Sequence, residues 1–446
     1  MSWLPQPHER RTRFIGPLAV IVLIERGEGA CLYAVDGRSY LDFTCGIGVT
    51  NTGHCHPRVV AAIREQAGLL LHGQANIVYH RPMLELVGAL REVVHPSFDS
   101  FFFSNSGAEA VEASLKLARQ ATGRSDVIVF GGGFHGRTAG AMALTSSKGK
   151  YRGGYAPLPS GVHISPFAYC FQCAVARAAG KNTAAISYAA PDDSSSGSGQ
   201  VVGCCGEPLR QVRHMLQTET VPEDIAAILV EPVQGEGGYI VPPASFIRGL
   251  REICDEHGIL LIADEVQSGF GRTGTFFAME QFDVVPDIMI MAKGIASGLP
   301  LSGIAARREI MDKWHPGSHG GTYGGNAVAC AAGVATIRAI QEDRLVENAA
   351  RLGGMLKSEL AAVQSRRPSI GDLRGLGLMV GVELLREDGG PDAALTKRVL
   401  AGCRERGLLL LNCGPYDNVV RFIPPLVVSE DQVRQAVRVF EEALEG

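Results

Sequence analysis

From about residue 60 to residue 335 two apolar patterns alternate along the chain. Short unbroken apolar runs, closed by turn residues, follow longer stretches whose apolar positions recur every three or four residues. Ser125-Asp-Val-Ile-Val-Phe130 is one such run and ends in Gly131-Gly-Gly. Ile225-Ala-Ala-Ile-Leu-Val-Glu231, Ile259-Leu-Leu-Ile-Ala263 and Pro286-Asp-Ile-Met-Ile-Met-Ala are others, while Gly107 to Thr122 and Ala244 to His257 carry the helical spacing. A strand buried on both faces needs an unbroken run, and helices with one apolar face can cover it. The alternation therefore predicts an α/β fold built on a parallel sheet.

The two ends of the chain read differently. Residues 1 to about 60 are irregular, with short strand patterns such as Cys31-Leu-Tyr-Ala-Val and Tyr40-Leu-Asp-Phe around the turn Asp36-Gly37. After Thr336 a long helical stretch leads to the strand patterns Leu378-Met-Val-Gly-Val-Glu383, Leu408-Leu-Leu-Leu411 and Val419-Val-Arg-Phe-Ile423, then to a final helix from about Glu430. The expected organisation is an N-terminal segment (1–60) that joins a small α+β domain (336–446), with a large domain (61–335) between them. The stretch from about Pro166 to Arg213 breaks the alternation and holds Asp192-Asp-Ser-Ser-Ser-Gly-Ser-Gly199, so it reads as an insertion on the large domain.

Composition narrows the function classes. At 446 residues, 46% hydrophobic and 20% charged, the chain has the make-up of a globular protein with more than one core. A net charge of −4 gives no electrostatic case for a nucleic acid or an anionic membrane as partner. The apolar run Pro17 to Ile24 is too short to span a bilayer. No basic segment followed by an apolar core and cleavage site opens the chain. Eleven scattered cysteines, an odd number, fit a reduced compartment, so a cytoplasmic protein is expected. The 55 glycines exceed the usual ~7% and suit tight turns and close backbone approach to a ligand.

The candidate chemistry lies where the predicted strands end. Lys293 follows Pro286-Asp-Ile-Met-Ile-Met-Ala, and Asp264 follows Ile259-Leu-Leu-Ile-Ala263. Ligands in open α/β sheets collect outside the carboxyl ends of strands. Of the 8 lysines, only Lys293 follows a strand pattern; the others sit in loops or polar helical patterns. Alone, Lys293 reads equally as a solvated strand end, and Asp264 as a helix cap.

Four further features join them. Ser104-Asn-Ser106-Gly107-Ala108 is a strand-to-helix turn whose free N–H groups and helix dipole suit a phosphate. In Gly131-Gly-Gly-Phe134-His135-Gly136-Arg137, Phe134 or His135 can stack on a flat ring and Arg137 can grip a carboxylate. Glu231-Pro-Val-Gln-Gly-Glu236 places two acids past another strand. Gly320-Gly-Thr322-Tyr-Gly-Gly offers a hydroxyl and amides. Each has a bland reading as cap, loop or turn. Together they become coherent around pyridoxal phosphate, which needs a lysine for its aldehyde, an acid for its ring nitrogen and a phosphate cradle.

The ordered set resembles the class III (ω-amino acid) aminotransferases of the fold type I pyridoxal-phosphate enzymes. The likeness runs from Asn51-Thr-Gly-His-Cys-His-Pro57 to Arg421-Phe-Ile-Pro-Pro-Leu426 and includes Asp264-Glu-Val-Gln267-Ser-Gly-Phe-Gly-Arg-Thr-Gly274 unbroken. It implies a mostly parallel seven-stranded sheet in the large domain and a homodimer or dimer of dimers. It implies Lys293 as Schiff-base lysine and proton shuttle, Asp264 on the pyridinium nitrogen, Gln267 on the ring hydroxyl and Phe134 on the ring face. Gly107 and Ala108, beside Ser106, would bind the phosphate together with Thr322 of the neighbouring subunit.

Within the family the chain is most similar to the 4-aminobutyrate group. On that likeness Arg137 grips the distal carboxylate, Arg421 the α-carboxylate of 2-oxoglutarate, and Glu236 pairs with Arg421 when the donor has none. Ile47 also fits this group. The implied reaction is ping-pong, giving succinic semialdehyde and glutamate. Ornithine, acetylornithine, diaminobutyrate or β-alanine as donor, or racemisation on the same fold, remain the alternatives. Cys170-Phe-Gln-Cys173, with Cys204-Cys205 beyond, departs from the family core. Its spacing can hold a metal or iron–sulfur cluster across a dimer, though the reading taken is plain thiols and no metal.

Overall fold

The computed structural model describes residues 22–173 and 206–446. The strands run in chain order as β1 (Ile24–Glu28), β2 (Cys31–Ala34), β3 (Ser39–Asp42), β4 (Ser100–Ser104) and β5 (Asp126–Phe130). Then come β6 (Val162–Ser165), β7 (Ile225–Val230), β8 (Leu260–Asp264), β9 (Ile288–Met291) and β10 (Ser302–Ala306). The last are β11 (Ile370–Leu376), β12 (Met379–Leu384), β13 (Leu408–Leu409), β14 (Leu411–Cys413) and β15 (Val419–Phe422).

The central sheet has seven strands in the order β4-β10-β9-β8-β7-β5-β6. Only β10 runs against the others, pairing antiparallel with both β4 and β9. The remaining pairs are parallel. All six residues of β7 and all four of β9 are buried, as strands covered on both faces must be. Helix Gly107–Thr122 covers one face with Val111, Leu115 and Ala118. A capping box between Ser106 and Glu109 starts it, and Gly123 in a left-handed conformation ends it. Helix Ala244–His257 covers the other face with Phe246, Ile247 and Leu250.

Two four-stranded sheets flank this core, β1-β2-β3-β13 and β11-β12-β15-β14. The apolar run 408–411, expected as one strand, is divided between them. Leu408–Leu409 pairs with β3, whereas Leu411–Cys413 pairs with β15. The helical stretch expected after Thr336 is two helices, Ala327–Glu342 and Leu345–Gln364. The first starts earlier than its pattern suggests because the Asn326 side chain accepts hydrogen bonds from Val328 and Ala329. The boundary drawn at residue 335 therefore falls inside a helix. Strands β6, β10 and β11 have no counterpart in the sequence reading, whereas β4 ends at Ser104, where a strand-to-helix turn was expected. β10, Ser-Gly-Ile-Ala-Ala, is fully buried but too rich in small residues to read as an apolar run. Of the expected insertion, helix Glu207–Thr218 is described, while Asp192 to Gly199, Cys204 and Cys205 lie outside the described residues. Among the described residues no helix is long and apolar enough to cross a membrane.

Candidate active site

Five parallel strands of the central sheet end at one edge. β4 runs into Asn105 to Ala108, β5 into residues 131–137, β7 into Glu231 to Glu236, β8 into Glu265 to Gln267, and β9 into Ala292 and Lys293. These segments line a cavity of about 470 Å³, the size of a small-molecule site. Eleven of the expected residues are on its wall: Ser106, Gly107, Ala108, Phe134, His135, Arg137, Glu231, Glu236, Asp264, Gln267 and Lys293. Three are elsewhere. Arg421 lies behind Glu236, while Ile47 sits in a turn, 43% exposed, and Thr322 is exposed.

Lys293 opens a short turn directly after β9, with φ at 46°. That left-handed backbone costs a side-chain-bearing residue about 1–3 kcal/mol, strain of the kind that collects at functional sites. Its ammonium has no hydrogen-bond or ion-pair partner among the described residues, and its remaining exposure is to the cavity. Burial lowers its pKa to about 8, with the charges of Glu236, Asp264 and Glu231 opposing the shift and that of Arg421 adding to it.

Asp264, the last residue of β8, is 4% exposed. Its Oδ1 accepts the Val266 amide at 3.1 Å, and its Oδ2 meets His135 Nδ1 at 2.7 Å. His135 therefore serves as the partner of this carboxylate. Burial alone would lower the imidazole pKa, but the hydrogen bond and charge of Asp264 outweigh it and the net shift is upward. Gly136, at φ 136°, lets this loop lie on the helix start, where a Cβ would come within 2.6 Å of the Ala108 Cβ.

Glu231 is buried and ties two loops together. Its Oε2 accepts the Phe134 amide at 3.1 Å and its Oε1 the Gly235 amide at 3.0 Å. Burial, reinforced by the charge of Asp264, pushes its carboxyl upward against the pull of His135. Gln234 adds a bond from its Nε2 to the Gly131 carbonyl at 2.9 Å. Phe134 and the Glu236 loop are thus braced against each other.

At the outer side of the cavity Arg421, on β15 and 5% exposed, places Nη1 at 2.5 Å from Glu236 Oε1. Burial would raise the Glu236 carboxyl, but Arg421 holds it below its ordinary value. The Nε of Arg421 is buried without a partner, a donor left for a ligand. Arg137 is exposed, with its guanidinium 4.3 Å from the centre of the Tyr151 ring. Tyr151 and the buried Lys148, whose ammonium pairs with Asp417, were missing from the sequence reading. Their segment, Lys148-Gly-Lys-Tyr151, has only the composition of a polar loop, so no sequence signal marked them.

The family profile described as Aminotransferase class-III matches residues 16–444. The chain belongs to the class III aminotransferases. Over 428 residues it is 41% identical to the 4-aminobutyrate aminotransferase GabT of Escherichia coli, covering 95% of this chain and 93% of that one. It is also 41% identical to the 5-aminovalerate aminotransferase DavT of Pseudomonas aeruginosa, covering 95% and 93%. An amine transaminase from an uncultivated Pseudomonas species, solved in its PLP-bound form, shares the fold at TM-score 0.87 and 29% identity, covering 98% and 99%.

Class III aminotransferases use pyridoxal 5′-phosphate, and the residues present fit it. The amides of Gly107 and Ala108, at the start of a 16-residue helix, have no partner among the described residues. The side-chain oxygen of Gln267 is buried and unpaired, a polar group awaiting a ligand. Asp264 and the partnerless Lys293 supply the acid and the amine. No group of His, Cys, Asp and Glu arranged to hold a metal ion occurs among the described residues. Cys170 and Cys173 lie on one turn, fixed by Tyr169 and Gln172, which both bond Glu383.

Proposed function

We propose that this aminotransferase moves the amino group of an ω-amino acid, 4-aminobutyrate first, to 2-oxoglutarate. The observation that carries this is the buried Arg421–Glu236 pair at the cavity, with a second arginine, Arg137, beside it. The site must take one carboxylate in the first half-reaction and two in the second. Arg137 serves the carboxylate common to both. Arg421 is closed by Glu236 while the donor occupies the site and opens for the α-carboxylate of the oxo acid. An unpaired buried arginine would be costly, so the internal acid is what permits a donor with no α-carboxylate.

Bound pyridoxal phosphate supplies an aldehyde for the amine and a ring that draws electron density from the amine-bearing carbon. The other work falls to the chain. Gly107, Ala108 and Ser106 hold the phosphate, aided by Thr322 of the partner subunit. Asp264, itself held by His135, keeps the ring nitrogen protonated. Gln267 bonds the ring hydroxyl and Phe134 covers a ring face. Lys293 Nζ anchors the aldehyde, takes the proton from the donor carbon and later returns one. Its pKa of about 8 leaves part of the amine neutral near pH 7, as a general base requires.

A homodimer is the expected active form. Leu69, Leu71, Ile77, Tyr79, Leu84 and Tyr323 are all more than half exposed, an apolar surface of the kind that marks an interface. Tyr323, beside Thr322, is tied to this set through a ring contact with His72 at 5.4 Å. The buried free thiols Cys45, Cys254, Cys330, Cys403 and Cys413 support a cytoplasmic location.

The test is a single turnover of the loaded enzyme with 4-aminobutyrate, then glutamate formation from 2-oxoglutarate. 5-Aminovalerate runs in parallel, because the DavT relative matches as well as GabT and that donor is one carbon longer. Optical activity lost from one amino acid with no oxo acid required would replace transamination with racemisation.

A further inference from the structure

The Glu236 carboxylate meets two side chains among the described residues. Its Oε1 faces Arg421 Nη1 at 2.5 Å, and its Oε2 lies 3.5 Å from the Tyr151 hydroxyl. The second distance is long for an O–H···O bond. In the closed pair Tyr151 stands next to the carboxylate without full engagement.

A buried carboxylate that leaves its arginine needs another donor. The Glu236 backbone has little freedom to seek one. Its carbonyl accepts the Gly414 amide at 2.9 Å, and the preceding Gly235 amide is held by Glu231. Only the side chain can turn. Two lysines also act on Glu236: Lys293 is taken up by the cofactor aldehyde in the loaded enzyme, and the Lys148 ammonium is committed to Asp417, which Asn412 Nδ2 also bonds at 3.0 Å. The Tyr151 ring is fixed, with Phe134 edge-on at 5.5 Å and the Arg137 guanidinium over its face at 4.3 Å. Burial, with the charge of Glu236, raises the phenol above its ordinary value, so the hydroxyl remains a donor across the working pH range.

We propose that Tyr151 is the second docking point of Glu236: when a substrate carboxylate takes Arg421, the glutamate turns onto the Tyr151 hydroxyl, which makes Tyr151 a positioning residue for dicarboxylate acceptance. This rests on the opening and closing of the Arg421–Glu236 pair under the proposed function. The same ring carries Arg137, so one side chain links the group that grips every substrate to the group that sorts them.

The experiment compares loaded wild-type enzyme with Tyr151→Phe, which keeps the ring and its contacts. Glutarate and butyrate, a dicarboxylate and a monocarboxylate that cannot react, are titrated by calorimetry. Tyr151→Phe weakens glutarate roughly tenfold, the size of a lost charge-assisted hydrogen bond, and leaves butyrate within about twofold. The KM for 2-oxoglutarate rises by the same factor, with that for the amine donor unchanged. In a Glu236→Gln background Tyr151→Phe has no further effect on glutarate, since no carboxylate remains to be received. Equal weakening of both ligands, unchanged glutarate binding, or an undiminished effect in the Glu236→Gln background overturns the proposal. A wild-type enzyme that does not bind glutarate at all removes the two-carboxylate reading, and the proposal with it.

Discussion

The inner and outer halves of the cavity are built by different means. Asp264 ends a parallel strand of one sheet, and Lys293 and Gly107 lie two and three residues past the ends of two others. Arg421 comes from another sheet, and Glu236 and Tyr151 come from loops that meet it. Strands β8 and β9 are held by ladders on both sides, so groups that must stay fixed relative to one cofactor belong at their ends. A seam between sheets can open and close without disturbing them. On the proposed function, reaction chemistry falls to the inner half and the choice between substrates to the Arg421–Glu236 seam, so a substitution in one half is expected to leave the other half's signature in place.

The largest expected effect tests the inner half. Lys293→Ala removes both anchor and base, so turnover falls by about 10⁴-fold or more for every donor. The visible absorbance band of the loaded enzyme disappears as well. A surviving full-strength band would place the anchor elsewhere. In the outer half, Arg421→Leu removes the ionic partner of the partly buried Glu236, leaves it only the Tyr151 hydroxyl, and costs about 1–3 kcal/mol of stability. Denaturant unfolding reads that loss, while the absorbance band survives. Glu236→Gln moves preference instead of chemistry. Donors that carry an α-carboxylate gain on 4-aminobutyrate by roughly 10–100-fold in kcat/KM, the range for one charged hydrogen bond. Equal losses for both donor types would erase the division between the halves.

The smallest effect is a pH profile of the inner half. Folding lowers the Lys293 pKa to about 8, so the amine is charged below that value and neutral above it. Reloading of the apo-enzyme with pyridoxal phosphate therefore speeds up as pH rises, about tenfold between pH 7 and pH 9. The linkage to stability has the same sign: charging a buried lysine opposes folding, so this group's penalty is full below pH 8 and is relieved as pH climbs from about 8 to the ordinary lysine value of 10.5. Stopped-flow absorbance checks the rate, and a flat profile would remove Lys293 as the titrating nucleophile.

The inner half was largely legible in the chain because its residues follow patterns of their own. Lys293 and Asp264 each end an apolar run, and the run itself says where the side chain sits in the sheet. The amides proposed to bind the phosphate likewise announce themselves through Ser106-Gly107 at a helix start. The bond between His135 and Asp264 was not legible, since nothing local distinguishes a ring that stacks from one that holds a carboxylate. Tyr151 and Lys148 were invisible for a similar reason: Lys148 meets Asp417 and Tyr151 meets Glu236, partners far away in the sequence. Strand β10 escaped because packing, and not hydrophobicity, selects its serine, glycine and alanines.

The partition of residues 408–413 between two sheets has a consequence for how the molecule is made. The Leu41 amide bonds the Gly407 carbonyl at 2.8 Å, and the Phe43 amide bonds that of Leu409 at 3.0 Å. β3 thus waits for β13, hundreds of residues later in the chain, a long-range contact that is slow to form. Until then Tyr40, Leu41 and Phe43 emerge from the ribosome with one edge unmatched. A polypeptide cut before Leu408 cannot close its first sheet, however complete its central one.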